Sequence, residues 1–218
     1  MPVTHARPIL DPSTAGNGTW PDLQFHQISG SVRQFGLVPD ARLLQPADLL
    51  LMTRAAAVPS LIRLAQTNAG FAPTDAEWTH AALYTGDSMV VDANPIGGVR
   101  LRPMVDASFR HRMLVRRHPQ LSTEDRYRVV VKALAHLRRG YSLLAVPRLA
   151  WLAWSGPGAR ASGHVGGVTI CSTLVADAFA EAVQVDFRPR SLGAAWPADL
   201  SFTAKLDDVE VGWVRVRH

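Results

Sequence analysis

Two mostly apolar runs, residues 78–84 (Trp-Thr-His-Ala-Ala-Leu-Tyr) and 89–93 (Met-Val-Val-Asp-Ala), are separated only by Thr85-Gly86-Asp87-Ser88. Runs of this length suit β-strands, and Gly and Asp favour tight turns, so this stretch closes on itself as a hairpin. Residues 49–52, 99–104 and 112–117 read as further strands, which makes the middle of the chain an antiparallel sheet.

Helices are expected on either side of that sheet. Residues 58–69 have the spacing of a short helix. Residues 123–139 form the clearest one: Ser122 suits an N-cap with Asp125 three residues later, Val130, Val131, Leu134 and Leu137 recur at helical spacing, and Gly140 ends it. Residues 172–182 carry Leu174, Val175, Ala178 and Phe179 on one face. Residues 209–216 alternate apolar and polar, as a half-buried closing strand does. The fold class that follows is α+β.

A chain of 218 residues with 47% hydrophobic content can bury one sizeable core. Residues 1–40 mix Pro, Gly, Ser and Thr without periodicity and read as an N-terminal extension, poorly ordered or wrapping; 41–218 form the domain proper. One cysteine allows no internal disulfide and no thiolate metal cluster. His111, His118, His136 and His164 lack metal-ligand spacing, so no metal or other cofactor is expected and solvated or structural roles are assigned to them. The net charge of +5 is spread along the chain rather than blocked, which argues against nucleic acid as a partner. Residues 143–154 are apolar but broken by Pro147 and Arg148 and too short for a transmembrane segment, leaving room only for peripheral membrane contact. Residues 1–18 lack a basic stretch followed by an apolar one, so a cytoplasmic location is expected.

Cys171 stands at the start of the 172–182 helix. Unpaired backbone N–H groups and the helix dipole favour negative charge there, which makes a thiol a readier thiolate and supplies donors for an oxyanion. His80 interrupts a half-apolar strand, and Asp92, twelve residues on, is a carboxylate in another apolar strand where an ionised group needs a partner. If the hairpin connection has an odd number of residues, positions 80 and 92 share one face of neighbouring strands. A Cys171, His80, Asp92 constellation is the expected catalytic set.

The run His80-Ala-Ala-Leu-Tyr-Thr-Gly-Asp87 followed by Asp92 resembles the NlpC-type cysteine hydrolases, where a third polar residue follows the strand histidine at that interval. Cys171-Ser-Thr-Leu-Val comes after the histidine strand instead of before it, the order of the permuted, YiiX-type branch. Pro46-Ala47-Asp48-Leu49-Leu50-Leu51 stands in place of that branch's Gly-Asp-aliphatic start. The resemblance covers residues 46 to about 200 and implies a circularly permuted papain-like fold, an antiparallel sheet packed on helices with the nucleophile at a helix N-terminus. It also implies a family-variable insertion at about 142–170, Tyr141 as a substrate-facing residue, and Ser172 beside the nucleophile as another.

The activity implied is hydrolysis of an amide, in a peptide or a cell-wall-like peptide, through an acyl-enzyme thioester. Acyl transfer or lipid ester cleavage by the same triad, as in lecithin:retinol acyltransferase-like relatives, is the alternative, with an apolar groove built around Trp151 and Trp154. A binding module in which Cys171 is buried and inert is the non-enzymatic alternative.

Overall fold

The computed structural model describes residues 6–15, 18–24, 37–54, 57–94, 97–108, 111–137, 154, 170–188 and 195–217. Strand β3 (Leu49–Met52) is apolar at every position because both of its faces are covered, and all four side chains are fully buried. It pairs antiparallel with β4 (His80–Gly86) on one side and β7 (Met113–Arg117) on the other. With β5 (Met89–Asn94), β6 (Gly98–Pro103) and β8 (Asp207–Val209) these make a six-stranded antiparallel sheet in the order β6-β5-β4-β3-β7-β8.

Leu49, Leu51, Ala81, Leu83 and Val91 line the face packed against two helices, α5 (Thr123–Leu134) and α6 (Cys171–Val183), whose Val129, Ala133, Leu174, Val175 and Phe179 fill the core. On the opposite face Leu50, Met52, Ala82, Tyr84 and Val90 pack against Met104 and Ala107 of α4 (Met104–Ser108), and against Leu10, Leu44 and Val211. Leu10 is tied to Met113 by two backbone hydrogen bonds of 2.8 Å. A three-stranded sheet, β1 (Asp22–Gln24), β9 (Trp213–Arg217) and β2 (Leu37–Pro39), joins early and late chain, with β1 parallel and β2 antiparallel to β9. The fold is mixed α+β with an antiparallel sheet flanked by helices.

One helix and the closing strand depart from expectation by more than a residue. Helix α5 stops at Leu134, where His136 and Leu137 donate to the carbonyls of Ala133 and Leu134 and tighten the last turn to three-residue spacing. Its buried stripe is Arg126, Val129, Val130 and Ala133, and Val131 points outward at 62% exposure. The expected closing strand is two: β8 ends at Val209, Val211 turns into the core, and β9 belongs to the smaller sheet.

Two devices fix where β4 begins and how β5 meets it. The buried Gln66 of α2 (Ala57–Asn68) donates to the carbonyls of Ala76 and Trp78 and accepts from the N–H of Ala198, so it anchors the approach to β4. At the other end Asp87 and Ser88, with φ of 49° and 58°, form the left-handed two-residue turn that hairpins prefer. Thr85 then bulges out, so that Gly86 faces Met89 while Tyr84 faces Val90 and Ala82 faces Asp92.

Asp48, fully buried beneath the start of β3, is held by Arg117 (Nε to Oδ1 2.7 Å, Nη2 to Oδ2 2.6 Å) and by the Gln45 N–H (2.8 Å), with Arg126 3.8 Å away. Removing the carboxylate strands two poorly solvated guanidinium groups. Asp48→Ala should therefore lower the unfolding free energy by about 3 kcal/mol in urea titrations. Arg128→Ala, which breaks only surface pairs with Glu124 and Asp125, should cost under about 1 kcal/mol.

Candidate active site

His80 opens β4, and its backbone is set by the segment before it: the Thr79 N–H donates to the Met52 carbonyl (3.1 Å), and the Thr79 hydroxyl accepts from the Arg54 N–H (3.0 Å). Because Ala82 faces Asp92, the carboxylate lies diagonally across from His80 on the same face of the sheet. Were Thr85 paired instead of bulged, Asp92 would face Leu83 and point to the other side. The resulting bond joins His80 Nε2 to Asp92 Oδ2 at 2.8 Å, with both side chains buried.

The imidazole is also hydrogen-bonded to the thiol of Cys171. With Nε2 committed to the carboxylate, Nδ1 is the nitrogen left to exchange a proton with sulfur. Cys171 is the first residue of α6, preceded by Ile170 as N-cap, and its sulfur accepts from the Ala81 N–H. The helix start is fixed by the Ser172 hydroxyl, which is fully buried and donates to the Ala195 carbonyl (2.7 Å). Ser172, expected to face substrate, is thus fully buried with its hydroxyl committed to the backbone. Tyr141, Trp151 and the 142–169 segment apart from Trp154 lie outside the described residues; Trp154 is 89% exposed.

The electrostatics of the three groups are interlocked. Burial pushes the Cys171 thiol up, but the charge and hydrogen bond of His80, the Ala81 N–H and the Arg54 charge bring it below its ordinary value. Burial disfavours the His80 imidazolium, yet the sulfur and Asp92 raise it overall. Burial likewise works against the Asp92 carboxylate, and His80 and Arg102 more than offset it, holding the group well below the usual carboxylate range. The arrangement favours a thiolate and an imidazolium side by side, backed by a permanent anion.

Four neighbours escaped sequence reasoning. Arg102 donates to Asp92 Oδ2 through Nε (3.1 Å) and Nη2 (2.5 Å), and Asn94 donates through Nδ2 (2.9 Å). Arg54 lies with Nη2 3.6 Å from the same oxygen and Nη1 2.7 Å from Asn94 Oδ1. His111, expected to be solvated or structural, borders this cluster: burial and the charges of Arg54 and His80 push it down to about 4, and it bonds the Thr53 carbonyl. Asn94 and Arg102 were within reach of alternation, since Asn94 follows Asp92 by two and Arg102 pairs with Val90. Arg54 and His111 come from strand ends, where no period points inward.

No family model matches the sequence, and no curated protein matches it. Among solved structures the chain is similar to the metalloprotein yiiX from Escherichia coli O157:H7, with a TM-score of 0.55 and 13% sequence identity over 76% of this chain and 96% of that one. At that identity the likeness is one of fold. The donors here do not suit a divalent cation: among the described residues no group of three or more His, Cys, Asp or Glu converges on one point, and two guanidinium groups crowd Asp92.

A carboxyl that ionises more readily folded than unfolded contributes stability that is complete above its unfolded value, here 3.8, and is lost as pH falls below it. Wild-type protein should therefore lose stability steeply on acidification below about pH 4. Asp92→Asn, already weaker at neutral pH because Arg102 loses its partner, should show a shallower acid limb when urea midpoints are compared from pH 6 to 2.

Proposed function

We propose that this chain is a thiol hydrolase of the circularly permuted papain-like, NlpC-type kind, cleaving an amide bond through Cys171, His80 and Asp92. The observation that carries the reading is a single buried imidazole bonded on one side to a thiol and on the other to a carboxylate that stays ionised. Order along the chain supports it, since the nucleophile's helix follows the histidine's strand, as the permuted branch requires.

In the mechanism, the Cys171 thiolate attacks the carbonyl carbon and forms a tetrahedral intermediate, and amides at the start of α6 are the donors available to its oxyanion. His80 hands its proton to the departing amine as the C–N bond breaks, leaving an S-acyl thioester. Water then attacks the thioester while His80 takes its proton, the C–S bond breaks, and the acid leaves with the thiolate and imidazolium restored. Asp92 fixes the ring orientation and stabilises the imidazolium. Arg102 and Asn94 hold Asp92 ionised and in place, which makes them positioning residues.

Iodoacetamide decides between this reading and an inert buried cysteine. At pH 6 the folded protein should alkylate at Cys171 at least about tenfold faster than the same chain in urea, and His80→Ala should remove that advantage while remaining folded by circular dichroism. Incubation with short peptides should leave an acyl adduct on Cys171 by intact mass, absent in Cys171→Ala. Folded protein that labels no faster than unfolded chain would refute the proposal.

A further inference from the structure

Asp92 has more positive charge around it than it can neutralise. Its Oδ2 already accepts from His80 (2.8 Å), Asn94 (2.9 Å) and Arg102 (2.5 Å). Arg54 stands outside that set at 3.6 Å and makes its short bond to a neutral amide oxygen instead. Its Nε is buried and has no hydrogen-bond acceptor among the described residues. Arg54 is largely buried yet close enough to Cys171 for the two charges to act on each other. A guanidinium in this position has a donor to spare, and it stands against the carboxylate that holds His80.

Even with Cys171 as thiolate and His80 as imidazolium, Arg54, Arg102 and His80 are three cations against two anions. Once the thiol is acylated and the imidazolium has given up its proton, two guanidinium groups face Asp92 alone. Arg100, which pairs opposite Asp92 in the sheet and is exposed, adds to the same side. His111 registers the surplus, since the neighbouring cations help to hold it neutral. Keeping an unmatched cation away from water is unfavourable, and an incoming anion relieves it.

We infer that Arg54 is a carboxylate seat beside Cys171, so that the amide cleaved carries a free carboxylate close to the scissile carbonyl. This deepens the proposed hydrolase reading and rests on Cys171 being its nucleophile. A guanidinium presents parallel N–H donors that match the two oxygens of a carboxylate, and Lys would supply charge without that fork.

Iodoacetate and iodoacetamide test the seat without knowledge of the natural substrate. They have nearly the same size and react alike, sulfur displacing iodide as a C–S bond replaces C–I, but only one is a carboxylate. Measured at pH 6, the ratio of iodoacetate to iodoacetamide rates in folded wild type should exceed that of the urea-unfolded chain by at least about tenfold. Arg54→Gln should lower the ratio by about tenfold with a smaller change in the iodoacetamide rate, Arg54→Lys should retain part of it, and Arg100→Gln should leave it within about twofold. A folded wild-type ratio equal to the unfolded one, or a ratio insensitive to Arg54→Gln, would overturn the seat. Rapid iodoacetamide labelling with no iodoacetate preference removes the seat alone, whereas slow labelling by both reagents removes the hydrolase reading beneath it.

Discussion

The hydrogen bond from His80 to Asp92 is the constraint around which the site is arranged, and a strand register makes it. Two residues on neighbouring antiparallel strands share a face only when the connection between them counts correctly. Here a two-residue left-handed turn would by itself put Asp92 opposite Leu83, in the apolar layer under α5 and α6. The bulge at Thr85 absorbs one residue and returns Asp92 to the layer of His80 and Ala82. A local irregularity of the backbone thus decides whether the carboxylate meets an imidazole or faces an oily layer where it could not remain ionised.

Buried charge brackets the β3–β4 ladder at both ends. At one end Asp48 is matched by Arg117 and Arg126, and its carbonyl accepts from the Tyr84 N–H (2.8 Å). At the other, where Met52 faces His80, Asp92 is matched by His80, Arg102 and Asn94. The two clusters differ in what is left over. Asp48 sits under both cations with its oxygens occupied, which suits a role in tying the start of β3 to β7 and α5. Around Asp92 the cations outnumber the carboxylate, and the thiol lies within their field.

Legibility in the sequence followed the period of each element. The hairpin, the buried β3 and the Ser122 cap, which accepts from the Asp125 N–H (3.1 Å), could be read because alternation, apolar runs and cap chemistry are local. Cys171, His80 and Asp92 could be read because each breaks such a pattern at a place where breaking it is costly. The face of α5 was read one residue out, since Val131 and Leu137 look as apolar as Val129 and only the packing partner decides between them. Arg54 and His111 were invisible, as they flank strands and are brought together by pairing between β3, β4 and β7. Ala47 shows the same limit: at φ 69° it occupies the place where the resembling motif has glycine, and nothing local to Pro46-Ala47-Asp48 announces that backbone. The strain of a side chain there, about 1 kcal/mol, is close to what burying one methyl returns, so the alanine is tolerated.

One sheet and one pair of helices can present very different charge to a cleft, so the fold alone does not set the chemistry of the site. A metal site collects anionic and neutral donors and leaves a cation to balance them. Here the cations are built in as Arg54 and Arg102, and the anions are Asp92 and the sulfur of Cys171. His80 above all, with the Ala81 N–H and the fixed charge of Arg54 behind it, lowers the thiol, and His80 together with Arg102 holds Asp92 ionised. Arg54 and Arg102 share the one carboxylate of Asp92, and that shortfall of anion is what the inferred substrate carboxylate would make up.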